Sequence, residues 1–184
     1  MKKHINLIIA FMIIISIVGC GKKEALEDNL DDNFPDDFHG EITNNIYKNE
    51  FFGLELSIPN EWYIVEQEDL ENFVLFQADK YEESEDVNPY VRFTAEKIDD
   101  SITLDYYIEK IENELMQYKD LTIEKDTEII KGKEYNTVKA ILEHEVDTVY
   151  LEIYVTLNNE YVTTIEVCYS EQEGKKDIKE IEFK

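Results

Sequence analysis

Residues 148–169 read TVYLEIYVTLNNEYVTTIEVCY. The stretch alternates with a period of two on both sides of Asn158-Asn159, which marks two antiparallel strands joined by a tight hairpin turn. Val149, Leu151, Ile153, Val155 and Leu157 fall on one face of the first strand. Tyr150, Glu152, Tyr154 and Thr156 fall on the other. A packed sheet is required to bury such a face.

The pattern extends upstream. Leu121–Ile130 and Glu134–Glu143 read as two more strands around a turn at Lys131-Gly132-Lys133. Before them, Leu104, Ile108, Ile111, Leu115 and Tyr118 fall on one stripe of a helix expected over Thr103–Lys119, with Thr103 as its N-cap and Lys119 in its last turn. Tyr90–Ile98, Phe73–Ala78 and Trp62–Val65 read as extended segments. In 51–58 the alternation puts Phe52, Leu54, Leu56 and Ile58 on one face. A Gly53 inside that strand suggests a bulge or a close backbone approach. Glu171–Glu180 suggests a short polar helix ahead of Ile181-Glu182-Phe183. The order predicts an α+β domain over 46–184 with a mostly antiparallel sheet.

The opening of this domain, Tyr47-Lys48-Asn49-Glu50-Phe51-Phe52-Gly53-Leu54-Glu55-Leu56-Ser57-Ile58-Pro59-Asn60-Glu61-Trp62, resembles that of PsbP-like domains. Their opening is a short strand, a turn, an aromatic-Gly-hydrophobic-x-hydrophobic strand and Pro-x-x-Trp. The resemblance implies an αβα sandwich, with helices covering both faces of an antiparallel sheet. It implies binding or assembly work, and it carries over no catalytic residue. Trp62 is expected to be a core anchor closing over the sheet.

The N-terminus, MKKHINLIIAFMIIISIVGC, has a basic start, an apolar run over Ile5–Val18 and Ile17-Val18-Gly19-Cys20. The run is short for a membrane span, which needs about 20 apolar residues, and suits a signal peptide. Its end resembles the lipobox of bacterial lipoproteins. The resemblance implies that residues 1–19 are removed and that Cys20 carries a thioether-linked diacylglycerol and a further acyl chain such as palmitate. Two chains anchor stably where one does not. The implied location is the extracytoplasmic face of the cell membrane, with lipid as a partner through Cys20.

Residues 20–45 then read as an acidic, disordered tether, in which apolar residues are sparse and without period. Over 21–45 a random coil spans roughly 25–30 Å. The acidic run Asp28–Asp37 lacks the Gly of a calcium-binding loop. The whole chain of 184 residues holds 43 Asp+Glu against 18 Lys+Arg, for a net charge of −25. That balance excludes nucleic acid as a partner, because phosphates need Lys or Arg to neutralise them.

Chemical motifs are scarce. There is no G-x-S-x-G elbow and no dinucleotide or Walker fingerprint. His39 falls in the tether. His144, within Glu143-His144-Glu145-Val146-Asp147, reads as a solvated turn with no second His or Cys at ligand spacing. Cys168 has no basic neighbour to activate it and reads as a small buried hydrophobe. Tyr150, Tyr154, Tyr161 and Tyr169 fall on neighbouring strands, and the Tyr150, Glu152, Tyr154 face has two readings: a face covered by the helix with phenols at its rim, which is preferred, or an open aromatic and acidic face for a peptide, a glycan or a basic partner.

The expectation is therefore a lipid-anchored, non-enzymatic binding or accessory module, with no catalytic residue, cofactor or metal assigned. Its partner would be a protein or another component of the cell envelope. A cell-envelope hydrolase and a cation-binding surface protein are the alternatives.

Overall fold

The computed structural model describes residues 38–66, 70, 73–82, 88–99, 101–143 and 148–170. Three strands, β1 (Glu41–Thr43), β2 (Ile46–Asn49) and β3 (Leu54–Ser57), form one small sheet. Seven more form a large one: β4 (Tyr63–Ile64), β5 (Val74–Asp79), β6 (Tyr90–Lys97), β7 (Leu121–Ile130), β8 (Lys133–Glu143), β9 (Thr148–Asn158) and β10 (Tyr161–Ser170). Their order is β4-β5-β6-β10-β9-β8-β7, and every pairing is antiparallel. The described residues contain a single helix, α1 (Leu104–Leu115), between β6 and β7.

The large sheet separates two cores. On one face Val138, Ala140, Leu142, Val149, Leu151, Ile153, Val155 and Val162 pack against Tyr107, Ile108, Ile111 and Leu115 of α1. On the other face Phe76, Val91, Phe93, Ile165 and Val167 pack against Tyr47, Phe52, Leu54, Leu56, Ile58 and Trp62. Trp62 is a core residue, as expected. Tyr47 stacks on Phe76 with ring centroids 4.5 Å apart.

The mostly antiparallel sheet is present, but the expected αβα sandwich is not. Among the described residues helices do not cover both faces: α1 covers one, and the three-stranded sheet covers the other. The reason lies in residues 47–58, whose period of two commits them to strands, so their apolar side fills the place a second helix layer would take. The helix expected over Glu171–Glu180 lies outside the described residues, as do residues 1–37.

Smaller differences have local causes. Strand pairing reaches back into 41–45, within the span read as tether. Asn44 and Asn45 both adopt positive φ and close a two-residue turn between Thr43 and Ile46. Phe38 is buried in the core. Gly53 lies at φ +65° in the turn before β3, where its N–H donates to the Glu50 carbonyl, and not in a bulge. The helix stops at Leu115, so Lys119 lies beyond it. Leu157 is exposed although it keeps the phase of its buried neighbours.

Candidate functional site

Two polar groupings stand out, one on each face of the large sheet. The first lies on the α1 side, at the β5, β6 and β10 end. Arg92 and Glu166 face each other across the β6–β10 register and both are buried. Arg92 Nε donates to Gln77 Oε1 at 2.8 Å, and Gln77 Nε2 donates to Asp79 Oδ1 at 3.0 Å. The guanidinium also lies over the Tyr90 ring, 5.2 Å from its centroid. Burial pushes the Glu166 carboxyl up to about 7, against the opposing pull of Arg92. Burial likewise raises Asp79, Glu96 and Glu114 above the ordinary carboxylate range. Burial is the leading cause for all four carboxyls. Cys168 lies in this region too, with its thiol pushed up to about 12 by burial and by Glu166. It is a packed side chain with no thiolate character.

The second grouping lies on the small-sheet side, at the β7–β9 end. The period of two puts Tyr150, Glu152 and Tyr154 of β9 on this face, and the register brings β8 and β10 alongside. Glu152 is its centre. Tyr154 Oη donates to Glu152 Oε2 at 2.7 Å, and Tyr169 Oη donates to Oε1 at 2.9 Å. Burial, then the bond to Glu152, raises both phenols far above their ordinary range, so they remain donors. Tyr150 and Tyr169 stack with ring centroids 5.0 Å apart. Further along, Lys139 Nζ donates to Glu128 Oε1 at 2.8 Å, which holds the ammonium above its ordinary value.

The result is a stripe running from Glu128 on β7 through Lys139 and Glu152 to the Tyr150–Tyr169 pair. Each Glu152 oxygen carries one phenol donor and keeps a lone pair for another. A Lys or Arg side chain meets here an oriented carboxylate beside aromatic ring faces, which attract cations. Tyr150, Glu152 and Lys139 are half-buried and so reachable.

The preferred reading of this face is corrected. The helix packs on the opposite side of β9, against Leu151 and Ile153, so it does not cover Tyr150 and Tyr154. The small sheet lies on this side instead, and its core takes in Tyr154 and Tyr169 while Tyr150 is partly buried against it. Tyr169 pairs with Tyr150 on the neighbouring strand, while Glu128 and Lys139 join the stripe through strand order and register, which no local motif announces.

Other sequence candidates fall elsewhere. His39 is exposed, and its carbonyl accepts from Tyr47 Oη at 3.0 Å. Cys20, the acidic run 28–37 and His144 lie outside the described residues. Among the described residues, no three His, Cys, Asp or Glu side chains converge as a metal-ligand group. Among them too, no helix is long and apolar enough to cross a membrane.

No family model and no curated protein sequence matches this chain. Solved structures do resemble it. The PsbP protein of the cyanobacterium Synechocystis (CyanoP) is 18% identical over 72% of this chain and 87% of its own, with a TM-score of 0.48. LpqN of Mycobacterium tuberculosis, described as involved in cell envelope biogenesis, is 10% identical over 69% of this chain and 76% of its own, with a TM-score of 0.49. A protein of Bacteroides thetaiotaomicron is 16% identical over 70% of this chain and 42% of its own, with a TM-score of 0.40. Likeness at this level leaves the functional reading to the residues of this chain.

Proposed function

We propose that this chain is an extracytoplasmic lipoprotein, held to the membrane through acylated Cys20, whose folded domain is a non-enzymatic binding module for a basic protein partner. The observation that carries the binding reading is the carboxylate of Glu152, oriented by two phenols on a partly open face. The net charge of −25 over the whole chain supports it, because a molecule so acidic attracts a basic partner. The lipobox over 17–20 supports the anchor.

Three experiments test the proposal. Cys20→Ala should leave an unprocessed precursor that takes up no labelled fatty acid; undiminished labelling of that variant removes the anchor from the proposal. Crosslinking in native membranes, followed by affinity capture, should recover the same basic protein with the natural chain and lose it with Glu152→Gln. Equal recovery with both moves the binding elsewhere. Hydrolytic turnover of cell-envelope material by the purified protein would overturn the non-enzymatic reading.

A further inference from the structure

β7 is an edge strand. It pairs with β8 along its length and has no neighbour on its other side among the described residues. Six of its ten residues are exposed. The backbone groups it leaves open follow from the turn at its end. Lys131 and Gly132 both have positive φ, which is the type I′ geometry of a two-residue hairpin, so Ile130 and Lys133 form a hydrogen-bonded pair. Bonded and non-bonded pairs alternate along an antiparallel ladder. The even-numbered residues of β7 therefore bond to β8, and the N–H and C=O of Ile123, Lys125, Thr127 and Ile129 point away from the sheet. The Thr127 N–H accordingly donates to the Asp126 carboxylate, at 2.8 Å.

The side chains along this edge are sorted by face. Glu124, Asp126 and Glu128 lie on the side of the Glu152 stripe. Leu121 and Ile123 lie on the α1 side, packed against that core, and Ile129 on the same side is 73% exposed. A long open edge with an uncovered Ile is a place where another strand adds.

We propose that β7 accepts an extended basic segment of a partner as an eighth strand, with Lys or Arg at alternate positions facing Glu124, Asp126 and Glu128, and apolar residues between them covering Ile123 and Ile129. This rests on the basic-partner reading above and names how that partner docks. Charge complementarity selects the occupant. A second copy paired about a two-fold axis sets acid against acid, because Glu124 meets Asp126 in one central register and Glu128 in the next. Asp126 is the gate: its carboxylate occupies the Thr127 N–H until an incoming cation draws it away and frees that donor for the new ladder. Acidic or apolar strands leave the gate shut.

The test uses the purified full chain and two ten-residue peptides of one composition. In one, Lys and Val alternate; in the other, they are segregated into a Lys block and a Val block. The alternating peptide should bind more tightly and slow amide exchange at Ile123, Lys125, Thr127 and Ile129. Thr127→Pro removes an outward N–H at a place where an edge strand tolerates proline, and should weaken binding roughly ten-fold. Glu124→Gln with Asp126→Asn should abolish most of the binding while leaving the Glu128–Lys139 ion pair to β8 in place, and keeps the test sound if the proline variant folds poorly.

Equal affinity for both peptides, or binding that leaves those four amides exchanging freely, overturns strand addition. If Glu152→Gln still abolishes capture of the partner, the basic-partner reading survives that result. A dimer of the chain alone that Thr127→Pro dissociates would put a second copy at the edge and overturn the proposal as well.

Discussion

Arg92 Nη1 lies 3.9 Å from Glu166 Oε2, with the two side chains 10% and 4% exposed. This is a loose ion pair in a dry place. The guanidinium spends its Nε on Gln77, while Glu166 Oε2 and Tyr90 Oη are buried and have no hydrogen-bond partner among the described residues. A buried carboxylate paired this weakly recovers little of its desolvation cost, and it holds its proton instead.

Glu166 therefore makes stability depend on pH. Its folded value of about 7 stands above the ordinary 4.5, so between these limits the folded chain binds more protons than the unfolded one, and stability falls as pH rises through that window. The contribution is complete below about 4.5 and gone above about 7. Urea unfolding at pH 5 and pH 8 should show the natural chain losing up to about 3 kcal/mol more than Glu166→Gln, which has no proton to lose. Parallel pH profiles for the two proteins would refute it.

Asn49 ties the start of the described chain to the core. Its Nδ2 donates to the Phe38 carbonyl at 2.8 Å, and its Oδ1 accepts the Phe52 N–H at 3.0 Å. Asn49→Ala should cost about 2–4 kcal/mol in chemical denaturation, since it strands two buried backbone groups at once. It should also expose the chain near Phe38 to protease. Resistance equal to that of the natural chain would show that Phe38 holds its place without Asn49.

Gly40 and Gly53 share positive φ but differ in room. A Cβ on Gly40 would stand 2.7 Å from the Lys48 carbonyl oxygen and 2.8 Å from the Tyr47 ring, whereas one on Gly53 meets nothing within 4 Å. Gly53→Ala should cost about 1 kcal/mol for the backbone alone, and Gly40→Ala about 2–4 kcal/mol because overpacking adds to the same strain. Thermal unfolding of the two variants orders them, and equal losses would contradict the crowding at Gly40.

The N-cap of α1 offers a milder test. Thr103 Oγ1 accepts the Tyr106 N–H at 3.2 Å. Thr103→Ala should lower stability by about 1 kcal/mol, and Thr103→Ser by much less, because Ser keeps the acceptor. Equal losses from both would mean that the methyl group matters more than the cap.

Legibility in the sequence followed the range of the interaction. α1 was readable because its stripe recurs every three to four residues within one short window, and Ile108, Ile111 and Leu115 are buried as that spacing predicts. β8–β10 were readable for the same reason, at a period of two. The turn at Asn44-Asn45 was missed because its short strands sit in an acidic stretch that resembles a linker, and only pairing with β2 turns β1 into structure. The Glu152 stripe was half legible. Alternation placed Tyr150, Glu152 and Tyr154 together and the hairpin put Tyr169 on the strand beside them, but Lys139 and Glu128 reach them only through strand order.

The sequence by itself determined the period of α1 and of β8–β10, the acidity of the chain and the resemblance of residues 17–20 to a lipobox, all of which are written in neighbouring residues. Only the tertiary structure decided which layer covers which face of the large sheet. Alternation says that a strand has two faces and does not say what packs on each. The apolar side of 47–58 packs on one face and α1 on the other, because burying both apolar surfaces at once needs two covers. That division leaves Glu152 beside the small sheet, and among the described residues β7 ends the large one.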